Sequence, residues 1–143
     1  MRTLFTVFAF TLASATQVFA AGASPAATGL PGTTWAVDCK QPQSSTNYYL
    51  AYSVNGDGLL VESLRGGGMN KDRTFRNIQV ISKSWLLYTL DDTDGDKVSL
   101  LVFTDAKGRK KTWWSVAKDG QAFIIDGKFP DGTGGPPWFS RCK

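Results

Sequence analysis

The chain has 143 residues, 42% hydrophobic and 20% charged, with 16 basic against 12 acidic side chains and no histidine. The lack of histidine excludes Ser-His and Cys-His nucleophile pairs, a histidine general base and nearly every zinc site. A formal charge of +4 supports solubility and does not by itself imply nucleic acid or anionic lipid as a partner.

Residues 1–20, MRTLFTVFAFTLASATQVFA, have a basic start at Arg2, an apolar run from Leu4 to Ala13 and a small-residue ending at Ala20 or Ala21. This layout predicts a secretory signal peptide, and the run is too short to span a membrane. A periplasmic or secreted location is therefore expected. No later stretch is apolar for long enough to be a transmembrane segment. Residues 21–32, AGASPAATGLPG, are small and uncharged and read as a flexible lead-in. Residues 33–143 read as a single β-barrel domain.

Within that domain the pattern is one of strands and turns, without a helical stripe. Strands are predicted over 34–39, 46–54, 58–64, 73–81, 84–91, 97–104, 110–117, 121–126 and 138–142. Turn chemistry separates them: NGDG at 55–58, RGGGMNKD at 65–72, DDTDGD at 91–96, DAKG at 105–108 and KDG at 118–120. Hairpin-to-hairpin succession predicts an all-β fold, an antiparallel up-and-down meander closing into a barrel of about eight or nine strands.

Some strands are apolar on both faces. In SWLLYTL (84–90), Trp85 and Leu87 alternate with Leu86, Tyr88 and Leu90, and VSLLVF (98–103) is similar. A single-layer barrel needs only its inner face apolar. The second face predicts a cover, supplied by loops, by the lead-in or by another subunit, and a homo-oligomer through 84–91 and 97–104 is one expectation.

The only two cysteines are Cys39 and Cys142. An even pair in an exported chain, without a C-x-x-C motif, predicts a disulfide. Closing a loop of this length contributes up to about 4.7 kcal/mol in the chain-entropy model.

The stretch GTTWAVDC, together with the late basic residue Arg141, resembles the opening and closing strands of lipocalins and the wider calycin group. In that group a Gly-x-Trp motif begins the first strand and its Trp packs near a basic side chain. The resemblance covers residues 32–39 and 138–142 and implies a barrel with a ligand-binding interior. Here the spacing is Gly32-x-x-Trp35, one residue longer. Strand alternation also sets Arg141 on the face opposite the cysteines, leaving Trp138 as the expected neighbour of the bridge. The chain is also similar to small exported bacterial proteins of unassigned role that end in a DGKF…PWFxRC-like tail, a likeness that implies no activity.

Catalytic chemistry finds little support. Glu62 is the only glutamate, and Asp38 and Asp126 are the aspartates closest to apolar strand sequence. Each reads as a strand-end residue bonded to backbone or to a nearby arginine. No catalytic residue is expected; a carboxylate-based hydrolase is the alternative. DDTDGD lacks the EF-hand spacing and reads as a solvated turn, so no metal and no cofactor are expected. KGRKKTWW (107–114) pairs basic residues with tryptophans, as single-strand binders do. Alternation sends Trp113 and Trp114 to opposite faces, however, and the stretch reads as a charged hairpin with one buried Trp rather than a nucleic-acid site. RGGGMNKDRTFR (65–76), three glycines with Arg65, Lys71, Arg73 and Arg76, reads as a flexible hairpin loop with solvated charges; the alternative is an anion-binding rim or gate at the barrel mouth. The expected function is a non-catalytic carrier of a small, partly apolar or amphipathic molecule, lined by Tyr48, Tyr52, Tyr88, Phe103 and Trp113. The alternative is a protein- or envelope-interaction or inhibitor module with a filled core, using the loops at 65–72 and 127–137.

Overall fold

A computed structural model describes residues 22–92 and 95–143. The expected signal peptide lies outside the described residues. Nine strands follow in chain order: β1 Thr34–Ala36, β2 Tyr49–Val54, β3 Leu60–Gly66, β4 Met69–Val80, β5 Trp85–Asp92, β6 Lys97–Thr104, β7 Lys110–Ala117, β8 Ala122–Ile124 and β9 Ser140–Cys142. All belong to one sheet in the order β8-β7-β6-β5-β4-β3-β2-β1-β9, so the chain is a meander whose last strand returns beside the first. Every pairing is antiparallel. The fold is therefore all-β, as the alternation and turn chemistry predict.

The sheet curls through 231°. Its ladder is not continuous all the way round. Across the gap, Lys110 N–H donates to the Phe139 carbonyl at 2.9 Å, and Phe139 N–H donates to the Lys110 carbonyl at 2.8 Å. Phe139 thus meets the start of β7, while the next three residues pair with β1. The predicted disulfide fastens the same margin: Cys39 and Cys142 are bonded, with Cα atoms 5.4 Å apart across 103 positions of sequence.

The core lies on the concave face. Alternation delivers Leu50 and Tyr52 from β2, Leu60, Glu62 and Leu64 from β3, Phe75 from β4, Tyr88 and Leu90 from β5, and Leu100 and Val102 from β6, all buried. Phe75 stands at its centre, 1% exposed, with its ring 4.2 Å from that of Tyr88 and 5.9 Å from that of Tyr52. Trp35 and Leu30 complete the core from the first strand and the segment before it.

Three local readings need correction. The lead-in is packed rather than flexible from Gly22 onward: Ala23 N–H donates to the Ile78 carbonyl at 2.7 Å, Pro25–Thr28 form a single 3-10 turn, and Leu30 is buried. Ala23 and Leu30 pack on the core, and backbone bonds tie the segment to Ile78 of β4 and Tyr52 of β2; composition alone does not reveal these contacts. The glycine-rich loop at 65–72 is a tight hairpin, with β3 running to Gly66 and β4 starting at Met69. Only Gly67 and Gly68 turn, both at positive φ (60° and 77°), the geometry that matches the twist of the flanking strands. Finally, the register of β6 on β7 shifts between Leu101 and Val102, which face Trp114 and Thr112. Trp113 is the extra residue of a β-bulge, so simple alternation fails there.

Candidate functional site: a charged row in the sheet interior

A row of polar side chains crosses the concave face. In register, Tyr52 of β2 lies opposite Glu62 of β3, and Glu62 lies opposite Arg73 of β4. Cross-strand partners point to the same side of a sheet, so all three enter the interior together. The Tyr52 hydroxyl donates to Glu62 Oε2 at 2.6 Å. Arg73 donates to Glu62 Oε1 through Nε at 3.1 Å and through its terminal nitrogen as well.

A fourth group arrives from the far side of the sheet. Lys110 opens β7, which is separated from β2 by four intervening strands. Its ammonium donates to the Tyr52 hydroxyl, 58 positions away in sequence. The same Nζ lies 3.9 Å from the centre of the Tyr52 ring and 4.6 Å from that of Trp35. Two ring faces and one hydroxyl therefore solvate a charge that is otherwise out of water. Glu62 is 2% and Lys110 6% exposed, so both sit where charge is expensive without a partner.

The electrostatics follow from that burial. Burial pushes the Glu62 carboxyl up, but the charges of Arg73 and Lys110 and the bonds from Tyr52 and Arg73 outweigh it and hold the group below its ordinary value. Arg73 is raised: burial lowers it, and the Glu62 carboxylate more than compensates. Tyr52 and Tyr88 are both pushed up, first by burial and then by the Glu62 charge, so both phenols stay protonated. Burial, with Arg73 adding to it and Glu62 opposing it, brings Lys110 down from 10.5 to about 7.

Two cavities flank this row. One, of about 370 Å³, is walled by apolar side chains including Leu50, Leu64, Leu100 and Ile124, with Tyr52, Glu62, Arg73 and Lys110 converging on it. The other, of about 350 Å³, lies toward the packed lead-in and is bordered by Leu30, Trp35, Leu86 and Thr104. Tyr88, Val102 and Lys110 border both, so they form the waist between them. The outer part of the larger cavity is reached past Met69, Phe123 and Phe129, each between 38% and 42% exposed.

The residues expected from the sequence divide between the two faces. Tyr48, Tyr52 and Tyr88 stand in the wall of the larger cavity. Phe103 and Trp113 do not line it. They belong to an aromatic cluster on the convex face, where the Phe103 ring is 4.7 Å from Trp85, 5.8 Å from Trp113 and 6.2 Å from Trp138. The bulge is the physical reason for Trp113, since the extra residue turns it outward beside Trp114. Part of the cover for this second apolar face comes from the chain's own tail. Gly127 N–H donates to the Trp113 carbonyl at 2.7 Å, and Trp138 packs on Phe103 rather than beside the disulfide.

The four basic residues proposed as an anion-binding rim are dispersed. Arg65 pairs with Asp72 at 2.8 Å and Arg76 with Asp91 at 3.2 Å, while Arg73 points inward to Glu62. Lys71 lies one position before Asp72 on β4, and its carbonyl accepts from Arg65. Once the loop becomes a two-residue turn, its charges pair along the strands instead of gathering at a mouth. Arg141 is likewise exposed although it lies opposite Trp35 in register, and the cation over the Trp35 ring is Lys110.

Sequence reasoning missed Lys110 and assigned Glu62 no binding role. A signal for Glu62 was present: it is flanked two residues away on each side by Leu60 and Leu64, a charged residue on an apolar stripe. Lys110, in the basic run KGRKK, carried none. No group of three or more potential metal-ligating residues occurs among the described residues, and no helix there is long and apolar enough to cross a membrane. No protein-family model matches the sequence, no curated protein matches it, and no solved structure matches the fold.

Proposed function

We propose that this is a non-catalytic exported protein that binds a small, partly apolar molecule on the concave face of its curled sheet. One observation carries the reading: an apolar cavity of about 370 Å³ onto which a few polar groups converge, the buried Tyr52, Glu62 and Lys110 and the half-buried Arg73. Ligand sites are typically concave and mostly apolar, with a small number of placed polar groups, and they begin at about 300 Å³. The disulfide supports the exported location. The alternative, an interaction module with a filled core, is weaker because the interior keeps open volume on both sides of the polar row.

Native mass spectrometry of the protein purified from its own host tests the reading. A small molecule retained at one copy per chain is the expected result. Protein that carries no such molecule, and that also fails to bind short-chain amphiphiles added back, would overturn it.

A further inference from the structure

The interior holds an uncompensated charge. Three charged side chains enter it: Glu62, Arg73 and Lys110. Glu62 is taken up by Arg73 and by the Tyr52 hydroxyl. Among the described residues, no carboxylate lies within ion-pair distance of the Lys110 ammonium, which donates to the Tyr52 hydroxyl. The buried sum is one positive charge. Lys83 and Lys111 at the borders of the two cavities add to that sign. A buried charge without a counter-charge is costly, and a ligand that brings one relieves the cost.

A second observation locates the complement. Tyr88 is 5% exposed, stands at the waist between the cavities and is held protonated. Its hydroxyl is bonded by none of the described side chains, and since no fully buried side-chain N or O atom among the described residues lacks a partner, that hydroxyl is open to the cavity space. It is thus a phenol donor open to an incoming acceptor, beside a cation without a paired carboxylate. An acidic head group satisfies both at once, with charge-assisted bonds from an ammonium and a phenol.

We infer that the interior is a site for a singly charged amphipathic anion, its acidic head at the waist between Lys110 and Tyr88 and its apolar tail along Leu64, Leu100 and Ile124. This inference rests on the ligand-binding reading above and specifies the class of ligand. The charge it needs comes from Lys110. The charged groups acting on that ammonium are Glu62 from β3 and Arg73 from β4, which neutralise one another. Trp35 from β1, Tyr52 from β2 and Tyr88 from β5 are neutral, and Lys83 and Lys111 at the cavity borders are cationic. With Lys110 poised near neutrality, binding an anion draws a proton onto it. Affinity is then full below about pH 7. Above that it falls by about tenfold per pH unit until the bound ammonium itself titrates.

Calorimetric titration with decanoate and with decanol separates the outcomes. Decanoate is expected to bind at least about tenfold more tightly than decanol at pH 7 and to weaken steeply toward pH 9, while decanol stays flat. Lys110→Met should bring decanoate down to the level of decanol without abolishing decanol binding. If that variant does not fold, the pH comparison on the wild-type protein decides alone. Equal affinity for the two probes, or an equal pH response, overturns the inference and leaves the carrier reading standing. Failure of both probes to bind overturns both.

Discussion

The ammonium of Lys110 lies over the ring of Trp35, with Nζ 4.6 Å from the ring centre. The two residues come from strands at opposite sides of the meander, so the contact spans the interior rather than running along a ladder. Trp35 is itself fixed by its indole N–H, which donates to Thr33 Oγ1 at 2.9 Å. Lys110 is therefore both a packing element and a titrating one, and its protonation reports on the fold.

Stability should rise with pH from about 7 to about 9. The folded amine titrates near 7 and the unfolded one near 10.5, so across this window the unfolded chain holds one more proton. Below pH 7 Lys110 is charged in both states and its burial cost is present in full. Above pH 10 the trend reverses, because Tyr52 and Tyr88 are held neutral in the fold and ionise more readily in the unfolded chain. Urea midpoints measured at several pH values check this, and Lys110→Met should remove the rise. A flat wild-type profile would contradict the burial of Lys110.

Glu62→Gln should cost about 3–5 kcal/mol, because it leaves Arg73 and Lys110 inside without a counter-charge. Adding Arg73→Met should recover part of the loss, and equilibrium denaturation of the single and double variants gives the coupling. The carboxyl is held below its ordinary value of 4.5. Its stabilising contribution is therefore present above that pH and is lost as pH falls through the folded value.

Gly66 and Gly68 should respond differently to alanine. Gly66 has φ +112°, and a Cβ there would lie 2.8 Å from the Asn47 carbonyl oxygen, a backbone atom with little freedom to withdraw. Gly68 has φ +77° with nothing within 4 Å, so only the left-handed conformation is penalised. Gly68→Ala should cost about 1–2 kcal/mol and Gly66→Ala clearly more, as thermal denaturation of the pair would show. Equal costs would mean that loop 44–48 can move away from the hairpin.

Replacing Cys39 and Cys142 by serine should lower stability by about 2–5 kcal/mol. The same shift should appear when the wild-type protein is denatured in a reducing buffer. No further loss is expected when the double variant is reduced, since Cys39 and Cys142 are the only cysteines.

Much of the fold was legible because strands announce themselves locally. All nine predicted strands exist, since alternation and turn residues are properties of adjacent positions. The errors fall where a distant partner decides. Leu30 gave no sign of order in its own composition, because its order comes from β4 and from the core. The glycines of 66–68 read as a loop, although β3 and β4 pair right up to Gly66 and Met69. Trp113 was misassigned because a bulge adds a residue without leaving a mark in the alternation. The charged row was hidden for a deeper reason. Tyr52, Glu62 and Arg73 meet only through register, and Lys110 reaches them only through curling of the whole sheet. Neither quantity is written in any short stretch of sequence.

The bridge between Lys110 and Phe139 bears on the order in which the molecule assembles. Hairpins β2–β3 through β7–β8 join near neighbours and can form early, whereas the margin that includes Phe139 and the Cys39–Cys142 bond waits for segments about as far apart as this sequence permits. Until that margin forms, the N–H and carbonyl of Lys110 lack their Phe139 partners. Contact order therefore places closure of the chamber after the local hairpins. The proposed ligand would then meet an open trough before closure and, afterwards, a cavity whose exposed lining includes Met69 and Phe129.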